Sequence, residues 1–278
     1  KLYKTTAQGD TTLFFDADAV GIFTVAIDAA DNVYAATSPN GKVYKIDPEG
    51  NSTEFFDPDA MYIWDVLVDD NNRVLIATGD EAYVYRVAPD GESELLYEGE
   101  ENHARTLTLS ADGTLYLGTS GDGYIYKLSN NAPPFVVFDP QMEEVHGLIE
   151  HTDGYLYAAV YGESVIPMLT DRQQRQNGSN QSNNGEDEDE DNDEAALAAQ
   201  TIRMEGIVRL RGGSTSLFRI SPDGYAKDLW IGSDEKIQSI FPYSDTELLV
   251  GSGKSGNLLT INTKGELSIL QENEETSV

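Results

Sequence analysis

Apolar residues in this chain fall into short runs that return on a fixed period. From Phe23 the sequence reads "FTVAIDAADNVYAATSPNGKVYKIDPEGNSTEFFD", from Trp64 "WDVLVDDNNRVLIATGDEAYVYRVAPDGESELLYE", and from Arg105 "RTLTLSADGTLYLGTSGDGYIYKLSNNAPPFVVFD". A fourth copy opens at His146 as "HGLIEHTDGYLYAAVYGES", breaks off and resumes 51 residues late as "SLFRISPDGYAKDLW". A fifth runs from Gln238. The offset is 41 residues, so Tyr3, Tyr44, Tyr85 and Tyr126 share one position, and Phe218 and Leu259 continue it once the extra residues are subtracted. Gly9, Gly50, Gly91, Gly224 and Gly265 share another. Self-similarity at this spacing marks a repeat architecture.

Each copy holds four runs of β-branched and aromatic residues separated by Gly, Asp, Asn and Pro, which predicts four antiparallel strands, a to d. In the first copy they are "TVAID", "VYAATS", "KVYKID" and "TEFFD". Gly50 and its equivalents suit the c to d turn, where positive φ is needed. Strands a and b are nearly continuously apolar, as expected where both faces of a sheet are covered. Units of this size and content predict an all-β fold, a β-propeller of four-stranded blades. Residues 1–278 read as a single propeller domain.

The opening "KLYKTT" aligns with strand c and Thr12 to Asp16 with strand d, so strands a and b of that first unit are missing from the pattern. Five blades and half of another are legible. The expectation is a segment of a longer chain whose ring has six or seven blades, since an unpaired strand edge is an aggregation hazard.

The extra residues, roughly 167–213, fall between strands b and c of the fourth copy. "RQQRQNGSNQSNNGEDEDEDNDE" is polar, low in complexity and expected to be disordered. The stretch after it has Leu197, Met204 and Val208 at helical spacing and reads as a short helix or a strand extension. Asp187, Asp189, Asp191 and Asp193 alternate as Ca²⁺ ligands do, but the Gly and final Glu of an EF-hand loop are missing, which favours a solvated charge run. In a propeller the b to c and d to a loops share one face, so the insertion decorates the mouth of the central channel.

Composition narrows the function classes. With 39% hydrophobic residues there is a sizeable core, and no run of about 18 apolar residues predicts a membrane span. The absence of cysteine excludes disulfides, Cys-ligated zinc and a Cys nucleophile. The net charge is -31, of which eight acids lie between Glu186 and Glu194, leaving about -23 elsewhere. Such a surface repels nucleic acid and anionic lipid and suits cationic partners, or else a high-salt habitat. Sequons at Asn51, Asn177 and Asn180 matter only in a glycosylating host.

Variation among the copies supplies the candidate site. Where strand a begins, the five copies carry Phe23, Trp64, Arg105, His146 and Gln238, whereas two positions on Val25, Val66, Leu107, Leu148 and Ile240 are uniformly aliphatic. The fold fixes the second column and leaves the first free. Large aromatic and polar residues converging on a channel mouth suit a ligand or partner site, with Asp65, Thr106 and Ser239 as hydrogen-bonding neighbours. Mutual packing across the channel is the alternative. His103 and His146 are placed near the mouth and His151 on the opposite face; Glu143 and Glu144 beside His146 leave room for a metal or an acid and base pair. No Ser, His and Asp set is legible, and "GTSGDGYIY" is a hairpin signal rather than a phosphate loop. No catalytic residue, resident metal or cofactor is therefore assigned.

"ADGTLYLGTSGDGYIYKLS", "EVHGLIEHTDGYLYAA" and "SPDGYAKDLWIGSDEKIQSI" resemble the WD40-like and quinoprotein-like propellers of largely uncharacterised bacterial proteins, often exported. "GTLYLGT" also approaches the repeat of sensor propellers in hybrid two-component regulators, with Tyr in place of Trp. The resemblance implies an extracytoplasmic repeat protein and specifies fold better than function. It carries no WD40 "GH" pair, no quinone-docking tryptophan motif and no lactonase or lyase metal pattern. The expectation is a monomeric, non-catalytic binding module for a protein or glycan, with a metal-dependent lyase or hydrolase near His146 as the alternative.

Overall fold

The computed structural model describes residues 1–129, 132–162, 165–167, 202–204, 207–209, 214–232, 236–253 and 256–272. The chain opens with a hairpin, β1 (Leu2–Thr5) and β2 (Thr11–Phe15). The first four-stranded unit is β3 (Gly21–Ile27), β4 (Val33–Ser38), β5 (Gly41–Ile46) and β6 (Ser52–Ala60). The second is β7 (Tyr62–Val68), β8 (Val74–Gly79), β9 (Ala82–Val87) and β10 (Ser93–Gly99), and the third β11 (His103–Leu109), β12 (Leu115–Ser120), β13 (Ile125–Ser129) and β14 (Ala132–Phe138).

The fourth unit starts with β15 (Glu144–Glu150) and β16 (Leu156–Gly162). A separate three-stranded sheet of β17 (Val165–Pro167), β18 (Ile202–Met204) and β19 (Ile207–Arg209) follows, before β20 (Ser214–Ile220) and β21 (Ala226–Gly232) complete the unit. The fifth is β22 (Ile237–Ser244), β23 (Glu247–Ser252), β24 (Leu258–Asn262) and β25 (Leu267–Gln271). Every pairing is antiparallel, and no helix occurs among the described residues. Where the insertion could have continued as helix or strand, 202–204 and 207–209 are strand; its acidic run lies outside the described residues.

The first strands of successive units, β3, β7, β11, β15 and β22, pack side by side in that order. Single pairs, His103 with Gly79 and Ser120 with Glu144, join the second, third and fourth units into one continuous sheet. This is the predicted propeller arrangement, and it explains why strand b is apolar on both faces: all six residues of β8 are buried. The core lies between units rather than within them. Tyr34, Ala36 and Val43 of the first unit cluster with Ile63, Val66 and Ile76 of the second, and Ile125 of the third with Val145, Leu148 and Ala158 of the fourth. Each fully buried Ile or Leu there contributes about 1.5–3 kcal/mol.

The aliphatic column tests this packing. Val66, Leu107, Leu148 and Ile240 are 1–4% exposed, but Val25 is 45% exposed. Its neighbour is the β1–β2 hairpin, which supplies only the c and d positions, so Val25, Ile27, Leu2 and Phe14 line an open apolar cavity of about 450 Å³. In the c to d turns Gly50 and Gly265 have φ of 92° and 91°, the left-handed conformation their positions predicted.

Candidate functional site

Each inner strand slips register against its partner near its start, and β22 slips a second time between Pro242 and Ser244. The slips near the start lie between Ile22 and Thr24, Ile63 and Asp65, Ala104 and Thr106, Val145 and Gly147, and Ile237 and Ser239. The residue left without a cross-strand partner is Phe23, Trp64, Arg105, His146 or Gln238. The column that varies freely is thus a column of β-bulges, and a bulge releases its side chain from the ladder and re-aims it.

Room for these side chains comes from the end of strand b. The matching column there is Ser38, Gly79, Ser120, Tyr161 and Gly253. A Cβ on Gly79 would overlap Trp64 Nε1 and His103 Nδ1, and one on Gly253 would lie 2.5 Å from Gln238 Nε2. Gly79→Ala should therefore expel the Trp64 indole at a cost of about 1–3 kcal/mol, the usual range for overpacking. In a Trp230→Phe background the remaining tryptophan emission should shift to the red; an unchanged spectrum would mean that the indole does not depend on this gap.

The bulged side chains meet across unit boundaries. Phe23 and Trp64 are edge to face with ring centroids 6.2 Å apart, Tyr62 stacks on Trp64 at 5.3 Å, and His103 meets Trp64 at 5.4 Å. The Arg105 guanidinium lies 4.6 Å from the Trp64 ring centroid. Its Nε donates to Glu144 Oε1 at 2.7 Å, and the same oxygen is 3.2 Å from His146 Nδ1. His146 in turn contacts Tyr161, over which Lys236 Nζ sits at 4.4 Å. A continuous line of aromatic and charged groups thus runs from the first unit to the start of the fifth. Gln238 is exposed against Gly253 and lies beyond its end.

Beneath this line Asp65 joins three units. Its Oδ1 accepts from Val66 N at 2.8 Å and from Thr24 Oγ1 at 3.4 Å; its Oδ2 accepts from Leu107 N at 2.8 Å and from Thr106 Oγ1 at 3.4 Å. Burial pushes this carboxyl up to about 6, against the opposing effect of the backbone donors and Arg105. Burial likewise holds the His146 imidazole well below its ordinary range despite Glu144, and the His103 imidazole lower too. A neutral His146 whose Nδ1–H faces Glu144 leaves Nε2 as a lone-pair acceptor. That atom and Trp64 Nε1 are buried polar atoms with no hydrogen-bond partner among the described residues.

Of the residues singled out in the sequence, Phe23, Trp64, Arg105 and His146 come together, with His103 and Glu144. Asp65 and Thr106 bond each other and the chain beneath the mouth, and Glu143 is exposed at its edge. His151 lies in an a to b turn, buried, where its Nε2 donates to the Ser244 carbonyl at 2.7 Å. Tyr62, Tyr161, Lys236 and Gly79 were not singled out. Gly79 and Tyr161 were reachable, because their column varies between Gly, Ser and Tyr as widely as the one they face. Among the described residues no three His, Asp or Glu side chains gather closely enough to hold a metal ion.

Solved structures agree on the architecture. The chain is similar to virginiamycin B lyase from Staphylococcus aureus, with a TM-score of 0.67 and 12% identity over 96% of this chain and 75% of that one. It is similar to a chain of the nidogen/laminin complex, at 0.63 and 11% over 95% and 84%, and to the PQQ-bound aldose sugar dehydrogenase from Streptomyces coelicolor, at 0.59 and 12% over 93% and 84%. No protein-family model and no curated protein sequence matches the chain. The chain is a β-propeller with quinoprotein-like neighbours, and at this identity the likeness defines the fold alone.

Proposed function

We propose that this propeller is a non-catalytic binding module that engages a partner, protein or glycan, at the channel mouth. One observation carries the reading: the five units carry five different residues at the bulge, and four of these side chains, Phe23, Trp64, Arg105 and His146, join one connected surface of aromatic rings and charges. Core packing would favour similar residues in every unit, as in the aliphatic column. Among the neighbours, a propeller in a complex with laminin supports a partner-binding role, while a lyase and a dehydrogenase show that the scaffold also hosts catalysis. An extracytoplasmic, monomeric protein goes with this reading and rests on resemblance to exported repeat proteins; fractionation of the source cells tests it.

The His146–Glu144 pair favours a second reading, a metal-dependent lyase or hydrolase, because a carboxylate on one imidazole nitrogen orients the other as a ligand or base. Equilibrium dialysis against divalent ions separates the two. A tightly held ion that is lost in His146→Ala supports the enzyme, and no retained ion sinks it.

A further inference from the structure

Resting on the binding-module reading, we infer that the partner presents an arginine- or lysine-bearing protein segment to the mouth. The mouth already uses face-on contact between cations and rings twice, Arg105 on Trp64 and Lys236 on Tyr161. Phe23, next in the same line, is 58% exposed, and among the described residues no cation lies over its ring. Its open face suits a further guanidinium or ammonium group, for which such contacts contribute about 0.5–2 kcal/mol depending on desolvation.

Two further features select a cation. Among the described residues no donor reaches His146 Nε2, a buried acceptor in a side chain only 5% exposed, and donors are what arginine and lysine bring. Around the mouth, the d to a connections and b to c turns carry exposed Asp59, Asp80, Glu81, Glu100, Asp122 and Glu143. Among the described residues none of these six forms an ion pair. Acids are exposed on the opposite face too, for example Asp31, Asp90, Asp223 and Asp245. Acidity therefore does not choose the face. The connected line of rings does: ring–cation pairs also occur toward the opposite face, Lys45 on Tyr34 and Arg219 on Tyr155, but they sit in separate units. A saccharide would also stack on Phe23 and could donate hydroxyls to the rim carboxylates, but a neutral one brings no charge to pair with them.

The test uses the full chain and labelled peptides of alternating glycine with arginine or with glutamate, with a neutral maltooligosaccharide as the third probe. The arginine peptide should bind one to one and weaken as salt rises from about 50 to about 200 mM. Phe23→Ala with Trp64→Ala should weaken it about tenfold or more, or ~1.4 kcal/mol. The set Asp59→Asn, Asp80→Asn, Glu100→Gln, Glu143→Gln should do the same, while Asp31→Asn, Asp90→Asn, Asp223→Asn, Asp245→Asn should stay within about twofold. These neutral isosteres are exposed, and matched melting curves confirm that each variant is folded. Equal loss from both charge sets, no binding of the arginine peptide, or binding of the saccharide in its place would overturn the inference. If the arginine peptide fails while a captured partner still depends on Trp64 and Arg105, only the cationic partner class falls and the mouth remains the site.

Discussion

Asp65→Ala is expected to destabilise the protein by about 3 kcal/mol, because it strands donors on three units at once. Val66 N and Leu107 N both lie 2.8 Å from the carboxylate, and the hydroxyls of Thr24 and Thr106 complete it. Asp65→Asn keeps the shape but turns an NH₂ toward one of the two backbone N–H donors, so a smaller loss is expected. Urea unfolding checks both; an alanine variant within about 0.5 kcal/mol of the native protein would show that the clasp holds nothing.

The same residue leaves a signature in pH. Burial pushes the folded carboxyl up to about 6, above the ordinary 3.8 of an aspartate, so its stabilising contribution is fully present below pH 3.8 and is lost as pH rises through about 6. His146, held below 6.5 by burial, acts in the other direction: the unfolded chain binds the proton more readily, so its contribution falls as pH drops below 6.5. Between about pH 4 and 6 the two slopes oppose each other. Asp65→Asn should steepen the rise of stability with pH across that window, and His146→Gln should turn the slope toward a fall. Identical slopes in both variants would contradict the assignment.

Trp64→Ala is expected to reduce partner affinity about 30-fold to 100-fold, measured on the folded fraction of the variant. Buried aromatic anchors commonly carry 2 kcal/mol or more of binding. Trp64 is the hub of the mouth: Tyr62, Phe23, His103 and Arg105 all rest on it. Its removal frees the Arg105 side chain to follow Glu144 alone. Trp64→Phe keeps a stacking surface for Tyr62 and should retain part of the affinity. An affinity loss that disappears once the titration is corrected for unfolded protein would mean that the indole is packing rather than recognition.

The repeat was legible because a propeller core is built between units, which forces the same aliphatic residue at Val66, Leu107, Leu148 and Ile240. The turns were legible because Gly50 and Gly265 need positive φ. The bulges were not, since a slip in pairing is a relation between two strands and leaves no mark on Trp64 or Arg105 alone. What the sequence did show was its consequence, a position free to vary. Asp65 was grouped with the mouth for the same reason: its neighbours Thr24 and Thr106 are one repeat away in sequence but adjacent in the ring, so its carboxylate bridges units. Val25 looked like its column mates and is exposed because the β1–β2 hairpin beside it holds only two strands.

The bulge column is the proposed binding surface. Its most direct test is affinity capture from the source organism with the native domain and with a Trp64→Ala, Arg105→Ala, His146→Ala variant of matched melting temperature, followed by titration of the purified partner. The partner should bind the native domain, fail to bind the variant and be unaffected by neutralising Asp31, Asp90, Asp223 and Asp245 on the opposite face. A partner held equally by the native domain and the mouth variant would contradict it.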